Sequence, residues 1–276
     1  MYSNSRINCF KMCPKQFEYR YIKNLYPIGE SDALFLGKLL HKGVELKDQA
    51  KFLEFIENEN IVSSEKTETL ITLALAMTEA YFKVFGYNEI VHNELYFKLP
   101  LENHILQGYI DGIIEEDDGL WLLEIKTASQ VNKDYLDKLK FNDQINKYLY
   151  AAHKNVLENF NIDKPILGVK YRIIKKPQIR QKQSESIMQF RQRLVEKLQE
   201  EDYITEIILK RTVDELEESI QDTIQDINMI EQTTRFTKTL SACSTYGRCA
   251  YMELCCKEEN AEALYIERVE RGEENE

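Results

Sequence analysis

Two acidic residues and a lysine carry the clearest chemical signal in the sequence. Asp111 ends the segment Gly108-Tyr-Ile-Asp, and Glu124 and Lys126 lie in the segment Leu123-Glu-Ile-Lys. Two carboxylates that share one face supply hard oxygen ligands for Mg²⁺ or Mn²⁺. Such an ion polarises a phosphoryl oxygen and lowers the pKa of a bound water, while a nearby lysine stabilises charge that develops on phosphorus. These residue types therefore indicate metal-assisted phosphoryl chemistry.

The three side chains can act together only if neighbouring strands bring them to one face. Asp118-Gly119, between two apolar runs, predicts a two-residue hairpin turn. That turn pairs Asp111 with Lys126 and places Glu124 diagonally from Asp111, about 7–8 Å away between Cα atoms. A slip of one residue would turn the charges to opposite faces. The alternative is a cross-strand salt bridge on a solvated face, although charges at the ends of apolar strands are costly unless they bind something.

Residues outside the hairpin complete the candidate site. Gln144 and Tyr148 lie four positions apart on a predicted helix and therefore share one face. They are candidates to hold a phosphate or the lysine, with a polar–aromatic pair at a helix edge as the alternative. His41 is a candidate metal ligand or a structural histidine. Gly37, one turn earlier, would let another backbone approach closely. Glu94 is a weaker candidate for an acidic contact.

The elements that would carry these residues alternate between helices and strands. Helices are predicted over residues 3–23 with a break at Cys13-Pro14, and over 33–49, 64–85 and 135–160. Gly86 is predicted to end the third helix in a left-handed cap. Strands are predicted over residues 94–99, 107–115, 121–126, 168–175 and 203–210. Thr212-x-x-Glu215 is a capping box that opens a further helix, with one apolar face formed by Leu216, Ile220, Ile224 and Ile227. Strands flanked by helices predict a mixed α/β domain.

The cysteines form a second candidate centre. Three of them fall within 13 residues near the end of the sequence, namely Cys243, Cys249 and Cys255. Their spacing differs from that of zinc sites, which usually pair cysteines two to four residues apart. Together with Cys13 they suit a four-thiolate cluster, which would close a loop of roughly 230 residues and restrict the unfolded chain. Cys9 and Cys256 remain possible replacements, and free thiols remain the alternative.

Composition sets limits on location and partners. The 276 residues carry a net charge of −11 and contain no apolar run long enough to span a membrane. The N-terminus lacks the apolar stretch of a secretory signal, so a cytoplasmic protein with reduced thiols is expected. Residues 164–193 nevertheless contain nine Lys or Arg and one acid. This stretch is either an exposed charged face or, with the aromatic residues near Tyr19, a surface that tracks a nucleic-acid strand.

Taken in order, these motifs resemble the RecB-like branch of the PD-(D/E)xK nuclease superfamily. The resemblance is strongest to its iron–sulfur members, such as the CRISPR-associated RecB-type exonucleases, the AddB nuclease domain and phage nucleases. The matching motifs span nearly the whole chain and are Cys13-Pro14, Gly37-x₃-His41, Gly108-Tyr-Ile-Asp111, Glu124-Ile-Lys126-Thr127, Gln144-x₃-Tyr148 and the three late cysteines. One difference is that several relatives end with C-x₂-C-x₅-C, whereas this chain has C-x₅-C-x₅-C.

The resemblance implies a restriction-endonuclease-like α/β core with a mixed central sheet flanked by helices. It also implies a helical iron–sulfur region that joins the two ends of the chain. The expected organisation is a single domain over residues 1–276. Within it, the nuclease core covers about 33–210, the iron–sulfur region about 3–24 and 236–258, and an acidic tail 259–276.

The resemblance also implies residue roles. Asp111, Glu124, the Ile125 carbonyl and His41 would bind Mg²⁺ or Mn²⁺, and Lys126 would be the catalytic lysine. Two further residues would position the lysine and DNA, namely Gln144 and Tyr148. A [4Fe–4S] cluster would be held by Cys13, Cys243, Cys249 and Cys255.

The function implied is hydrolysis of DNA phosphodiesters, with exonuclease action on DNA ends or single strands in recombination, repair or phage DNA processing. The sequence contains no P-loop motif, so a helicase or recombination protein would have to be a separate partner. Two alternatives stay open at this point. One is a module on the same fold that binds nucleic acid or protein without cutting. The other is an iron–sulfur or zinc protein in which the cysteines are the active part.

Overall fold

The computed structural model describes residues 1–29, 31–59, 64–87, 89–245 and 247–268. The last part of the acidic tail, 269–276, lies outside these ranges. In chain order the elements are β1 (Tyr2–Ser3), α1 (Asn4–Met12), α2 (Pro14–Phe17), a π-helix (Glu18–Ile22), β2 (Leu25–Pro27), α3 (Asp32–Leu46), α4 (Gln49–Asn58), α5 (Glu65–Phe85), β3 (Ile90–Leu101), β4 (His104–Glu116), β5 (Gly119–Ala128), α6 (Lys133–Leu139), α7 (Asp143–His153), β6 (Ile166–Lys175), α8 (Ile187–Leu198), β7 (Ile204–Leu209), α9 (Val213–Gln232), α10 (Met252–Cys256) and β8 (Tyr265–Glu267). The chain divides into a larger unit, 31–98 with 109–217, and a smaller unit, 1–30 with 99–108 and 218–276.

The larger unit is built on a mixed sheet flanked by helices. β4 and β5 are antiparallel, β5 and β6 parallel, and β6 and β7 antiparallel, while β3 pairs with β4. Trp121, Leu123 and Ile125 of β5 are buried in one core with apolar residues of α3, α5 and α8. Because side chains alternate along a strand, Glu124 and Lys126 lie on the opposite face. The predicted mixed α/β fold is confirmed, and it is consistent with a restriction-endonuclease-like core.

The hairpin between β4 and β5 forms, but its turn is not the predicted one. Glu116 pairs with Gly119 and Gly112 with Leu123, so Asp117-Asp118 is the turn and the predicted register was wrong by two residues. A Cβ on Gly119 would lie 2.5 Å from the Pro165 carbonyl oxygen, so the glycine serves this close approach and not the turn. Since the side-chain period of a strand is two, a shift of two residues keeps every side chain on its predicted face.

Two predicted helices have different boundaries from those expected. The helix predicted over 33–49 ends at Leu46, because Lys47 takes a left-handed conformation with φ 53°. The Asp48 side chain then accepts hydrogen bonds from the Ala50 and Lys51 amides and starts α4, which was not predicted. The helix predicted over 135–160 is two helices, because Asn142 caps a new one by accepting from the Ile145 amide at 3.2 Å.

Other predicted boundaries agree well with the structure. α5 begins after its Ser64 cap and ends at Phe85, and Gly86 has φ 79°, although its ψ of 174° lies outside the left-handed helical region. The capping box of α9 is present, since the Glu215 amide donates to Thr212 Oγ1 and the Thr212 amide donates to the Glu215 carboxylate. The predicted apolar face of this helix is buried, as shown by Leu216, Ile220, Ile224 and Ile227.

The smaller unit contains the N-terminal helices and most of the C-terminal part of the chain. The predicted break at Cys13-Pro14 is confirmed, because Cys13 is extended between α1 and α2. β2 pairs with β8, and Tyr19, Tyr251 and Tyr265 form a stacked aromatic cluster. In the part of the chain that the structure describes, no helix combines the length and apolar character needed to cross a membrane.

Two glycines of α3 allow a matched test of helix packing. A Cβ at Gly43 would lie 2.5 Å from Thr78 Oγ1 and 2.9 Å from Phe52 Cε1, whereas no described atom lies within 4 Å of a Cβ at Gly37. The predicted close approach of another backbone at Gly37 was therefore wrong.

We expect Gly37→Ala to raise the free energy of unfolding by about 0.5–1 kcal/mol, the usual gain from replacing glycine in a helix. We expect Gly43→Ala to lower it by about 1–3 kcal/mol through overpacking. Urea denaturation measures both, and a Gly43→Ala protein as stable as the wild type would contradict the packing described here.

Candidate active site

The candidate site lies within the larger unit and draws on four elements. α3 supplies His41, β4 supplies Asp111, β5 supplies Glu124 and Lys126, and α7 supplies Gln144 and Tyr148. The observed register, continued by one pair, sets Asp111 directly opposite Glu124 and not diagonal to it. The predicted site residues are thus brought to one place, although by a different pairing from the one expected.

Asp111 is held by a helix and by the neighbouring strand. His41 Nδ1 lies 3.1 Å from Asp111 Oδ1, and the Ile125 amide donates to Oδ2 at 2.6 Å. Burial opposes ionisation of Asp111, but His41, Lys126 and the Ile125 amide together hold its pKa below the usual range. Burial likewise acts against the charged imidazole, yet Asp111 raises the pKa of His41 above its ordinary value. Both shifts favour the ion pair of protonated His41 with ionised Asp111.

Glu124 is the least satisfied polar group of the site. Its side chain is fully buried, and although Lys126 Nζ lies against Oε1 as an ion pair, neither carboxylate oxygen accepts a hydrogen bond of ordinary geometry. Burial raises the pKa of Glu124 to about 7, with Asp111 adding to the shift and Lys126 opposing it. A buried carboxylate without hydrogen bonds is costly unless a cation or a proton compensates it.

α7 brings a tyrosine close to this carboxylate. Gln144 Nε2 donates to the Tyr148 hydroxyl at 2.6 Å, and the Tyr148 ring is buried. Burial raises the pKa of Tyr148 well above its usual value, and the charges of Glu124 and Asp111 add to the shift. The Tyr148 hydroxyl is therefore neutral and is oriented by Gln144. It also interacts electrostatically with both carboxylates.

Sequence reasoning missed two tyrosines near the site. Tyr171 pairs with Glu124 across β5 and β6, so the two side chains share a face, and its hydroxyl lies 3.3 Å from that of Tyr135 on α6. Tyr135 interacts electrostatically with Lys126. The place of Tyr171 beside Glu124 depends on the pairing of β6 with β5, and no local sequence pattern predicts which strands pair. Glu94, proposed weakly, is an exposed residue of β3 with φ 44° that interacts electrostatically with this site.

The donor set fits a hard divalent cation, although its side chains are now engaged with one another. Within the described ranges, no group of three or more His, Cys, Asp or Glu side chains is arranged to hold a metal ion as it stands. The two carboxylates are paired with His41 and Lys126 instead. Carboxylate oxygens are nevertheless the ligands that Mg²⁺ and Mn²⁺ prefer, and the carboxylate of Glu124 lacks hydrogen bonds. The residues present therefore suit such an ion.

The cysteines lie in the smaller unit, around two different spaces. One cavity of about 100 Å³ is bordered by five of the six thiols, namely Cys13, Cys243, Cys249, Cys255 and Cys256. Cys9 lines a separate open groove, and burial raises the pKa of its thiol to about 12. All six cysteines are free. The iron–sulfur region stays a prediction, because no set of thiols in the described residues is arranged around an ion.

Most of the basic stretch 164–193 is already neutralised. Five of its nine cations form ion pairs with acids of the larger unit, namely Lys164, Lys170, Arg172, Arg191 and Arg193. The aromatic residues near Tyr19 are also engaged, because Phe17 and Tyr19 are buried in ring contacts. The expectation that these two rings stack on nucleic-acid bases was wrong, since both belong to the core of the smaller unit.

Comparison with known proteins gives a family match and a structural neighbour with a shared fold. The model of the PD-(D/E)XK nuclease superfamily matches residues 1–256 of the chain. No curated protein sequence matches it. The crystal structure of a candidate exonuclease from Eubacterium rectale superposes with a TM-score of 0.57 at 11% identity, covering 93% of this chain and 87% of that one, which indicates a shared fold. The crystal structure of SSO0001 reaches a TM-score of only 0.35 at 15% identity, over 83% of this chain and 88% of that one.

The buried carboxylate makes stability depend on pH in a predictable direction. Because the pKa of Glu124 is raised to about 7 in the folded protein, the folded state keeps a proton that the unfolded state releases near its ordinary value. Stability therefore falls as pH rises between these two values, and the raised pKa of His41 acts in the same direction above its ordinary value.

The free energy of unfolding of the wild type should fall as pH rises from 5 to 8. We expect Glu124→Gln to remove the greater part of this fall, on the order of 2 kcal/mol, because the variant cannot titrate at this position. Chemical denaturation in EDTA at pH 5 and pH 8 measures the effect. Glu57→Gln, at an exposed position of α4, is the matched control and should follow the wild type. Equal losses in wild-type and Glu124→Gln proteins would contradict the assignment.

Proposed function

The chain belongs to the PD-(D/E)XK nuclease superfamily, and from this premise we propose that it is a metal-dependent deoxyribonuclease. The observation that carries the proposal is the buried, unsatisfied carboxylate of Glu124 beside Asp111, with Lys126 against it. A sheet face that served only for structure would gain stability if apolar residues replaced these charges. We also propose that the enzyme works in the cytoplasm, and that residues 1–276 act as one nuclease domain with its core over about 33–210.

The roles of the protein groups follow from their positions. Asp111, Glu124 and His41 would hold Mg²⁺ or Mn²⁺ together with the Ile125 carbonyl. The bound ion would polarise the phosphoryl oxygen and lower the pKa of a water. Asp111 is preorganised for this role because the Ile125 amide fixes Oδ2.

Two further groups act on the reacting phosphate. Lys126 keeps its charge, because Glu124 and Asp111 raise its pKa despite burial. In the proposed reaction this ammonium group stabilises the negative charge that develops on phosphorus. The Tyr148 hydroxyl, oriented by Gln144, is neutral and can donate a hydrogen bond to a phosphate oxygen or hold the lysine in place.

We propose exonuclease action on DNA ends or single strands, in recombination, repair or phage DNA processing. The structural similarity to a candidate exonuclease supports the fold on which this idea rests. A separate helicase or recombination protein would supply any unwinding, since the sequence has no P-loop motif. A non-cleaving binding module is the alternative, and the assay that follows decides between the two.

Loss of any one of the three central charges should abolish cleavage. We expect Asp111→Ala, Glu124→Ala and Lys126→Ala to reduce cleavage of end-labelled DNA in Mn²⁺ by at least roughly 100-fold, the size of effect seen when one electrostatic contact to a transition state is lost. The matched control is Asp118→Ala, which removes an exposed carboxylate at the turn of the same hairpin and should cut like the wild type. Metal-dependent cleavage that persists in all three variants would remove the mechanism. A wild type that binds DNA but never cuts would favour the binding module.

We further propose that the C-terminal thiols and Cys13 hold a [4Fe–4S] cluster. The proposal is supported by the cavity that Cys13 shares with Cys243, Cys249 and Cys255. The thiols that bind a four-iron cluster lie farther apart than those around a single ion, so they need only border the same space. Cys256 borders this cavity too, and Cys9, which lies outside it, interacts electrostatically with Cys13 and Cys249, so both stay possible replacements.

Single cysteine variants test the cluster. After anaerobic purification we expect brown wild-type protein that contains iron and sulfide, with both lost in Cys249→Ser and Cys13→Ser. These variants should also unfold at lower temperature, because cluster binding and folding are coupled. Cys9→Ser tests which thiols are ligands, and it should keep its iron if the proposed set of four is right. A colourless, iron-free and stable wild type would argue against the cluster.

A further inference from the structure

The turn between α6 and α7 exposes a phenylalanine. Phe141 has 82% of its surface accessible, the highest exposure of any large apolar residue in the described part of the chain. It directly precedes the cap of α7, the position from which an apolar side chain often packs back onto the helix. Phe141 instead points into solvent. Leaving a large aromatic ring in water is unfavourable, which gives it an affinity for a flat apolar surface.

This exposure does not come from a loosely held loop. The Arg211 guanidinium donates to the Leu139 carbonyl oxygen at 2.8 Å and to Asn146 Oδ1 at 2.8 Å, so it ties the end of α6 to α7. The Phe141 amide donates to the Lys138 carbonyl oxygen at 3.1 Å. The turn is thus fixed on both sides, and the ring is presented by a preorganised backbone.

The two helices that flank this turn both reach the candidate active site. Tyr135 on α6 interacts electrostatically with Lys126, and Tyr148 on α7 interacts with Glu124. Phe141 is three residues before Gln144, so their Cα atoms are at most about 11 Å apart. Successive bases in a stacked strand are about 3.4 Å apart, so the separation of Phe141 and Gln144 corresponds to at most about three nucleotides.

The charges around the ring suit a polyanion. The two acids nearest to it in sequence are neutralised, because Asp137 pairs with Lys140 and Asp143 with Lys147. Lys138, exposed in the same segment, forms no ion pair with a described carboxylate. An aromatic face beside an unpaired lysine suits single-stranded nucleic acid, which is bound by stacking and charge.

We propose that Phe141 is a base-stacking residue that holds an unpaired nucleotide of the DNA strand entering the active site. This inference rests on the proposed function and deepens it, because it names single-stranded DNA, or a frayed end, as the substrate. The contact is sequence-independent, since every base presents a flat face to the ring.

Binding of labelled oligo(dT) in EDTA tests the proposal without requiring cleavage. Fluorescence anisotropy should show that Phe141→Ala raises Kd roughly 5- to 100-fold, the range for loss of one stacked base. Phe141→Trp should bind within about threefold of the wild type, whereas Phe141→Leu, which is apolar but has no aromatic face, should bind as weakly as the alanine variant. Met188→Ala is the matched control, because Met188 is 70% exposed on α8 of the same unit and should not affect Kd.

A scan with abasic nucleotides gives an independent readout. One abasic position, within about four nucleotides of the cleaved bond, should weaken binding to the wild type but not to Phe141→Ala. Three results would overturn the proposal: no wild-type binding, equal binding by Phe141→Ala, or full binding by Phe141→Leu. Stacking in EDTA with no cleavage in Mn²⁺ would instead contradict the proposed function and leave this inference standing.

Discussion

The burial of the Glu124 carboxylate is the interaction on which the rest of the site depends. A charge removed from water and given no hydrogen bond must be compensated by a proton, an ammonium group or a metal ion. Lys126 compensates the charge of Glu124 in part, whereas the negative charge of Asp111 repels it. The core formed by Trp121, Leu123 and Ile125 with the helices fixes β5, so the carboxylate cannot turn out into solvent. The stability of the sheet is thus what holds an unfavourable charge in place, as expected for a site whose chemistry needs it.

The sequence assigned the three charged side chains to one face for a reason that is more robust than the register it used. Alternation along β4 and β5 assigned Asp111, Glu124 and Lys126 to one face, and this assignment survives any even shift between the strands. The turn was assigned wrongly because glycine is favoured both in tight turns and where another backbone approaches closely. Gly119 was taken as a turn residue, whereas it admits the Pro165 carbonyl of a distant segment. Such a close approach between strands leaves no local pattern in the sequence.

The features that could not be predicted depend on long-range pairing. The parallel pairing of β5 with β6 brings Tyr171 beside Glu124, but the two residues are distant in sequence and no motif links them. The same limit explains the basic stretch, whose count of charges suggested a free surface. Arg172 is buried between Glu89 and Glu206, so its charge serves the fold. Local signals such as caps and breaks predicted several helices, but they missed the cap at Asp48 that starts α4, the cap at Asn142 that starts α7, and the whole of α8.

The ion pairs in the site also indicate which contacts would have to change when a metal ion binds. A divalent ion placed between Asp111 and Glu124 would compete with two positive groups, His41 and Lys126, for the same oxygens. His41 can remain useful as a ligand only as neutral imidazole, because a protonated ring has no lone pair to give. Lys126, as an ammonium group, has no lone pair and cannot be a metal ligand. Its charge, which now compensates Glu124 in part, would be free to act on a phosphate if a metal ion took over that role, so the ion pair also keeps an ammonium group beside the proposed ligands.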